Sequence, residues 1–233
     1  MASREGRKGH TMSDIYCDCG SKPILVSGSD FKLYRWNKCR KCVDWNYAKS
    51  QGMSEPTFPT AMPQVFHDTK IELLHPKVQS ALNWKPDGDK SGLIFHGTTG
   101  LGKTRGIWEI VRKMWLAEIQ KDKILQYNFL TMRKLEAKIS SSFANQTHEK
   151  EIDGLINVEL LVLDDLGKER LTSRMATDLF AIIDERSIAR RPTIISTNFT
   201  GSTLIDRFDA KDKETGVAMI RRLKDYYHIV GIT

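Results

Sequence analysis

Long apolar runs are missing from this 233-residue chain, and so are internal repeats. No stretch approaches the length of a membrane-spanning helix, and the charged, polar N-terminus lacks the apolar segment of a secretory signal. These absences argue against a membrane or secreted protein and predict a cytoplasmic one. The net charge of +7 is a modest excess of basic residues. It favours a polyanionic partner, and an ordinary basic protein without such a partner is the alternative.

Cysteine is absent after the first 42 residues, which contain all four. The pairs are C-x-C and C-x-x-C, and in a reducing compartment such close spacing favours metal binding over disulfides. We predict that Cys17, Cys19, Cys39 and Cys42 bind one structural Zn²⁺, with free or disulfide-bonded cysteines as the alternative. Residues 23–36 between the pairs predict a hairpin, and metal would stabilise so small a module.

Aromatic and basic residues are interleaved in this cysteine-containing segment. Aromatic rings among cations suit base stacking and phosphate contact, but they also suit packing in a small module or docking on a protein. The aromatic residues concerned are Tyr34, Trp36, Trp45 and Tyr47.

The most informative segment is residues 97–104, which fit the phosphate-loop signature G-x-x-x-x-G-K-[ST]. An apolar strand pattern precedes it and a helical pattern follows it, as the motif requires. The glycines let backbone N–H groups surround phosphates, Lys103 reaches the β- and γ-phosphates, and Thr104 offers a hydroxyl to Mg²⁺. The predicted nucleotide-binding residues are Gly97, Thr98, Thr99, Gly100, Leu101, Gly102, Lys103 and Thr104.

Two carboxylates follow an apolar run at residues 159–165, the Walker B pattern. A buried parallel strand brings Asp164 to the phosphate site, where it holds Mg²⁺ with Thr104. Asp165 then orients or deprotonates the attacking water. Because aspartate is shorter than the glutamate common at this position, Glu169 is an alternative base.

A third apolar run covers residues 192–197, and Asn198 follows it directly. In ATPases with an extra strand between the two Walker strands, this position carries a polar residue near the γ-phosphate. We predict that role for Asn198, and a helix cap or turn is the alternative.

The order of these motifs resembles the AAA+ helicase loaders, the ATPases of the DnaC, DnaI and IstB type. The resemblance covers residues 66–233 and is most specific in LLVLDDLGKE at 160–169 and RPTIISTN at 191–198. It implies a RecA-like ATPase core that uses ATP and Mg²⁺, binds single-stranded DNA and assembles with itself when ATP is bound. It also implies contact with a hexameric replicative helicase, which we assign to the N-terminal module.

The resemblance further implies an arginine that reaches the ATP of a neighbouring subunit. Arg222 falls on that position, Arg221 is the alternative, and Ala218 replaces a further arginine of the family. A solvated helix face is the competing interpretation. Basic residues on a predicted helix after the second strand are candidates for DNA contact or for a solvated face: Arg133, Lys134 and Lys138.

The predicted fold class is α/β, a RecA-like AAA+ P-loop ATPase core with a parallel sheet and no full lid domain, preceded by a small zinc ribbon. We divide the chain into a disordered basic tail (1–12), a zinc-binding module (13–50), a linker (51–64) and an ATPase domain (65–233). The last begins with a helix at about residues 65–84.

Three functions fit these observations. The first is an ATP-dependent loader of the replicative helicase onto single-stranded DNA. The second is a transposition helper of the IstB branch, which the zinc module disfavours because that branch usually has a helical N-terminal region. The third is a non-hydrolysing, ATP-switched DNA-binding adaptor, which the aspartate at position 165 keeps open.

Overall fold

The computed structural model describes residues 25–27, 33–35, 42, 44–52, 58–59, 61–121 and 123–232. It divides into two units, Met1–Thr60 with Arg112–Ile124, and Ala61–Val111 with Leu125–Thr233. Within the described ranges no helix combines the length and the apolarity needed to cross a membrane. The predicted domain division stays a prediction, because many residues before 61 lie outside these ranges.

The first unit contains an antiparallel hairpin and a short helix. Strand β1, Leu25–Ser27, pairs with β2, Leu33–Arg35, which confirms the hairpin predicted between the cysteine pairs. Helix α1, Trp45–Ser50, begins after Asp44, whose carboxylate accepts hydrogen bonds from two N–H groups of its first turn. Tyr47 on this helix is exposed.

The predicted zinc site cannot be followed in these residues. Cys17, Cys19 and Cys39 lie outside the described ranges, and Cys42 lies in an exposed turn. Among the described residues, no three His, Cys, Asp or Glu side chains are grouped so that they could hold a metal ion. Zinc binding therefore stays a prediction.

The second unit alternates strands and helices. Its elements in chain order are α2 Pro76–Ala81, β3 Gly92–Gly97, α3 Lys103–Ile119 (in this unit up to Val111), β4 Tyr127–Thr131, α4 Met132–Ala144, α5 His148–Asn157, β5 Leu160–Leu166, α6 Ser173–Ile188, β6 Thr193–Thr197, α7 Gly201–Ile205, α8 Lys213–Tyr226 and β7 Tyr227–Ile232. Thr131 and Thr172 cap helices α4 and α6, because their hydroxyls accept hydrogen bonds from N–H groups of the first turn.

The five strands β3 to β7 form one parallel sheet in the order β4-β5-β6-β3-β7. Strand β6 lies between the two strands that carry the Walker motifs, as the extra-strand pattern predicts. Because carboxyl ends of parallel strands meet at one edge of a sheet, the polar residues after β3, β5 and β6 lie close together. The predicted α/β class with a parallel sheet is confirmed.

A single apolar core joins the sheet to helices α4, α5, α6 and α8. Each fully buried aliphatic side chain stabilises the fold by about 1.5–3 kcal/mol relative to exposure. The buried side chains of this cluster include Ile94, Leu135, Ile139, Leu155, Leu161, Leu163, Leu179, Ile182, Ile183, Ile195, Met219 and Leu223.

Two regions differ from the sequence-based expectation. The helix predicted at residues 65–84 is replaced by two 3₁₀ turns, Gln64–Phe66 and Ile71–Leu73, followed by α2. Pro76 explains where α2 starts, because proline lacks an N–H group and fits the first helical position. Helix α5 was not expected, since its ten residues are mostly polar and include an interior glycine.

Candidate functional site

The loop between β3 and α3 has a backbone that requires its glycines. Gly100 and Gly102 have φ angles of 88° and 80°, in the left-handed region that other residues rarely adopt. A Cβ atom on Gly102 would lie 2.9 Å from the Leu74 side chain. Thr98, Thr99 and Gly100 are exposed, so this loop is accessible to a ligand.

Lys103 is a buried cation at the first position of α3, with 6% of its surface exposed. Its ammonium donates to the carbonyl oxygens of Gly97 and Thr98 at 2.7 and 2.8 Å, and to Oδ1 of Asn198 at 2.8 Å. Burial lowers the pKa of Lys103, and the neighbouring carboxylates of β5 oppose that shift. Phosphate oxygens could replace the two carbonyl acceptors, because these belong to the phosphate loop and the end of β3.

Asp164 lies on β5 opposite the phosphate loop and is 5% exposed. Both of its carboxylate oxygens are 3.2 Å from the hydroxyl of Thr104 on α3. Burial raises the pKa of Asp164, while hydrogen bonds from Ser196 and Thr104 act in the opposite direction. A carboxylate and a hydroxyl are the hard oxygen ligands that Mg²⁺ prefers.

Asp165 follows with an unusual backbone, a φ of 63° in a residue other than glycine. Such conformations cluster at functional sites, where the surrounding structure holds them. Its carboxylate is 31% exposed and lies 3.0 Å from the ammonium of Lys168, which raises the pKa of Lys168. Glu169 is exposed in the turn after β5.

Asn198 connects the end of β6 to the phosphate loop. Its Oδ1 accepts the hydrogen bond from Lys103, and its Nδ2 donates to the hydroxyl of Thr99 at 3.4 Å. The structure therefore brings Lys103, Thr104, Asp164, Asp165 and Asn198 together at one edge of the sheet. The chemical roles of these side chains stay predictions.

Ser196 on β6 is a further member of the site that the sequence reasoning missed. It is fully buried, its hydroxyl donates to Oδ1 of Asp164, and the hydroxyl oxygen of Ser196 accepts the N–H group of Asp165 at 2.9 Å. A hydroxyl in the apolar run TIIST signals that a buried partner must exist, because an unpaired buried hydroxyl is costly. The sequence does not reveal which partner it is.

A surface cavity of ≈ 590 Å³ lies beside the phosphate loop. Arg105 at its wall contacts Asp68 at 3.4 Å and Thr69 at 3.2 Å, and its guanidinium lies over the ring of Phe66. The cavity mixes apolar and charged side chains, as nucleoside sites do. Its lining consists of Asp68, Lys70, Leu73, Leu74, His75, Gly100, Leu101, Gly102 and Arg105.

The predicted interfacial arginine lies elsewhere on the second unit. Arg222 on α8 forms an ion pair with Asp184 on α6, and 34% of its side chain is exposed. Arg221 is 81% exposed and lies 3.8 Å from Asp225 one turn later. Both arginines line a groove between α6 and α8 that shares no lining residue with the cavity beside the phosphate loop.

The basic residues of α4 are at the surface. Arg133 and Lys134 are exposed, whereas Lys138 is half-buried and forms an ion pair with Glu151 of α5. Because its charge is already paired within the chain, Lys138 is the weakest of the three candidates for DNA contact.

The donor set at the strand ends fits a magnesium nucleotide. A buried ammonium faces two exposed-loop carbonyls, and a buried carboxylate with a raised pKa lies against a hydroxyl. A divalent cation would favour the charged form of that carboxylate, and phosphates would replace the loop acceptors of Lys103. Lys103, Thr104 and Asp164 are the residues that would hold them.

Comparisons with known proteins agree with this geometry. A family model described as IstB-like ATP binding protein matches residues 77–233. The chain is 28% identical over 127 residues to the replicative helicase loader DnaI of Bacillus subtilis, which covers 54% of this chain and 39% of that protein. It is 28% identical over 114 residues to the replicative helicase loader DnaC of Escherichia coli, with coverages of 48% and 44%.

The chain spans less than half the length of these two curated relatives. Among solved structures, a crystal structure of DnaI matches with a TM-score of 0.58 at 21% identity, over 74% of this chain and 95% of that one. At this identity the likeness concerns the fold.

Proposed function

The chain belongs to the IstB-like ATP-binding protein family, and on that premise we propose that it is an ATPase that loads a hexameric replicative helicase onto single-stranded DNA. Its fold is that of an AAA+ P-loop domain. The observation that carries the ATPase part is the cluster of Lys103, Thr104 and Asp164 behind an exposed glycine loop. Helicase loading is supported by the names of the curated relatives.

Lys103 and the backbone amides of the phosphate loop bind the phosphates of ATP in this proposal. When ATP binds, the ammonium of Lys103 exchanges the carbonyls of Gly97 and Thr98 for phosphate oxygens. It keeps its hydrogen bond to Oδ1 of Asn198. The nucleoside lies in the adjoining cavity, where Leu73 supplies apolar contact. Leu73 is 76% exposed, and covering it with a base would remove apolar surface from water.

Thr104 and Asp164 hold Mg²⁺ through their oxygens. The chemistry that the ion supplies when bound is neutralisation of charge on the phosphate oxygens. Asp165 orients the attacking water and accepts its proton at the carboxylate, and its partial exposure leaves room for that water. Asn198 positions Lys103 at the end of β6.

Hydrolysis is tested by Asp165→Asn, with Glu169→Gln as the matched control on the same turn. We expect Asp165→Asn to bind ATP normally and to hydrolyse it about a hundredfold more slowly, since a general base contributes at least that much. Turnover on single-stranded DNA is the measurement. If Glu169→Gln is slowed instead, Glu169 is the base, and if the unaltered chain shows no turnover, the protein is an ATP-switched adaptor.

The helicase partner and the DNA remain to be identified by binding experiments. We propose that Arg133 and Lys134 contact the phosphates of single-stranded DNA, because both charges are exposed on one helix. The N-terminal module, with Tyr34, Trp36, Trp45 and Tyr47 among its basic residues, is proposed to contact the helicase. Replacing Arg133 and Lys134 by Gln should weaken DNA binding and reduce its salt dependence.

A transposition helper is the second candidate, and the family model's IstB-like description favours it. Such a protein would assemble on duplex DNA and present a target to a transposase. Immobilised chain with ATP should retain a replicative helicase and not a transposase if loading is correct. Retention of transposase alone, together with a preference for duplex DNA, would favour the second candidate.

Zinc in the N-terminal module also stays part of the proposal. Metal analysis of freshly purified, reduced protein should find about one zinc per chain, because four thiolates close one tetrahedral site. Cys39→Ser should release the metal and leave ATP binding unchanged. Protein without metal would contradict the zinc assignment and leave the ATPase assignment untouched.

A further inference from the structure

The ladder between β5 and β6 is interrupted at the two carboxylates. Leu163 pairs with Ile195, and the next pair is Leu166 with Thr197, so two residues of β5 lie opposite Ser196 alone. This is a β-bulge, in which the extra residue loses its regular backbone partner. The backbone of Asp165 turns into the left-handed region at this point, with a φ of 63°.

At this bulge, the hydroxyl of Ser196 makes hydrogen bonds to both residues of β5 that lie opposite it. It accepts the N–H group of Asp165 at 2.9 Å, which stabilises the turned backbone, and it donates to Oδ1 of Asp164. Ser196 has no exposed surface, so removing its hydroxyl leaves the buried carboxylate of Asp164 without that donor. One hydroxyl thus bonds to the carboxylate of Asp164 and to the backbone of Asp165.

We propose that Ser196 is a positioning residue for nucleotide hydrolysis, because it holds the carboxylate of Asp164 against Thr104 and fixes the direction in which Asp165 projects. The proposal rests on the ATPase function proposed above. Its physical basis is general: a ligand carboxylate that is held by a second hydrogen bond is preorganised for its cation, and loss of that bond leaves it free to rotate.

Thr197 provides an internal control for the packing of this strand. It is the next residue on β6, it is buried with 3% exposure, and its hydroxyl also reaches β5, where it donates to the carbonyl oxygen of Leu166 at 2.7 Å. It also accepts the N–H group of Phe199 at 3.2 Å, and it bonds to neither carboxylate. Ser196→Ala and Thr197→Val therefore each remove a buried hydroxyl with two hydrogen bonds, and they differ in whether a carboxylate loses its partner.

The first readout is binding of a fluorescent ATP analogue with Mg²⁺ and with EDTA. For Ser196→Ala we expect the affinity measured in EDTA to be unchanged. The factor by which Mg²⁺ increases the affinity should become smaller by about tenfold or more, which is the usual effect of removing a partner of a metal ligand. Turnover at saturating ATP and Mg²⁺ should also fall, and KM for ATP should rise together with the loss of Mg²⁺-dependent affinity. Thr197→Val should keep the Mg²⁺ gain and the turnover within about twofold, even if both variants melt at lower temperature.

Ser196→Cys separates hydrogen bonding from volume, since a thiol fills the site but is a weak donor. An intermediate loss of the Mg²⁺ gain supports the proposal, and behaviour identical to the unaltered chain overturns it. Equal losses in Ser196→Ala and Thr197→Val also overturn it, because the effect would then come from packing. An unaltered chain that neither gains affinity with Mg²⁺ nor hydrolyses ATP would contradict the ATPase function itself, a result distinct from the other two.

Discussion

Lys103 and Arg186 are both buried cations that bond to residues flanking β6, and they lie at opposite ends of that strand. Lys103 bonds to Asn198 just after it, and Arg186 bonds to Thr193 at its first position. Burial lowers the pKa of both, that of Arg186 to about 10. The cost of removing a charge from water is therefore common to the two sites, and the difference lies in their partners.

Arg186 bonds to groups that lie in secondary-structure elements or directly beside them. Its guanidinium donates to four carbonyl oxygens and one hydroxyl, and two of those carbonyls belong to the last turn of α5. It thereby satisfies acceptors that a helix C-terminus leaves unpaired. Lys103 bonds instead to an exposed loop beside two carboxylates. Arg186, whose partners are fixed, therefore has a structural role. Lys103, whose partners a ligand can replace, is suited to binding that ligand.

The largest effect should follow from removing the exchangeable cation. Lys103→Ala deletes the charge that faces the phosphates, so we expect ATP binding and turnover to fall below detection. The free energy of unfolding should change little, because two of the three acceptors that lose Lys103, those of Thr98 and Asn198, belong to exposed residues. Binding of a labelled ATP analogue and chemical denaturation are the measurements. Unchanged affinity would show that the Walker assignment is wrong, and a large loss of stability would remove the contrast with Arg186.

Arg222, whose side chain is 34% exposed, should act only on the ATP of a neighbouring subunit. Arg222→Ala is expected to keep ATP binding by the isolated chain and to slow hydrolysis in the assembled state by about a thousandfold, as for other interfacial arginines. Arg221→Ala, with the more exposed neighbouring side chain, is the control. Turnover is measured on single-stranded DNA.

Mixing Arg222→Ala with Lys103→Ala sharpens this test. Neither variant should turn over alone, but the mixture should recover activity at the minority of interfaces where an intact Arg222 meets a neighbour with intact Lys103. If Arg221→Ala is the impaired variant, the assigned position is off by one. If neither arginine matters, ATP is not shared between subunits in this way.

The sequence predicted the exchangeable site far better than the fixed one. The phosphate loop, the two carboxylates and Asn198 all follow apolar runs, and parallel pairing brings strand ends together, so pattern alone locates them. Arg186 gives no such signal, because an arginine in the last turn of a helix is usually solvated. Its partners depend on where α5 ends, and α5 itself is too polar to be expected. The pairing of Arg222 with Asp184 also joins helices far apart in sequence.

The fixed cation should dominate stability. Arg186→Met removes the side-chain donor of four carbonyl oxygens that are buried or partly buried, so we expect a loss of about 3 kcal/mol or more in the free energy of unfolding. Arg190→Met, at an exposed position two residues after the end of α6, should cost less than about 1 kcal/mol. Chemical denaturation compares the two. Equal losses of stability in Arg186→Met and Arg190→Met would mean that the carbonyls find other donors. The folded fraction of Arg186→Met should still bind ATP normally.

The smallest effect is expected at an exposed cation beside the same carboxylates. Lys168 is 62% exposed and lies 3.0 Å from the carboxylate of Asp165. Exposed ion pairs contribute between zero and about 1 kcal/mol, so Lys168→Ala should change turnover by less than about fivefold and leave ATP affinity unchanged. The effect should also disappear at high salt, where surface charges are screened. A loss as large as that of Asp165→Asn, insensitive to salt, would instead make Lys168 part of the reaction, and exposure would then be a poor guide to which cations at this edge act on ATP.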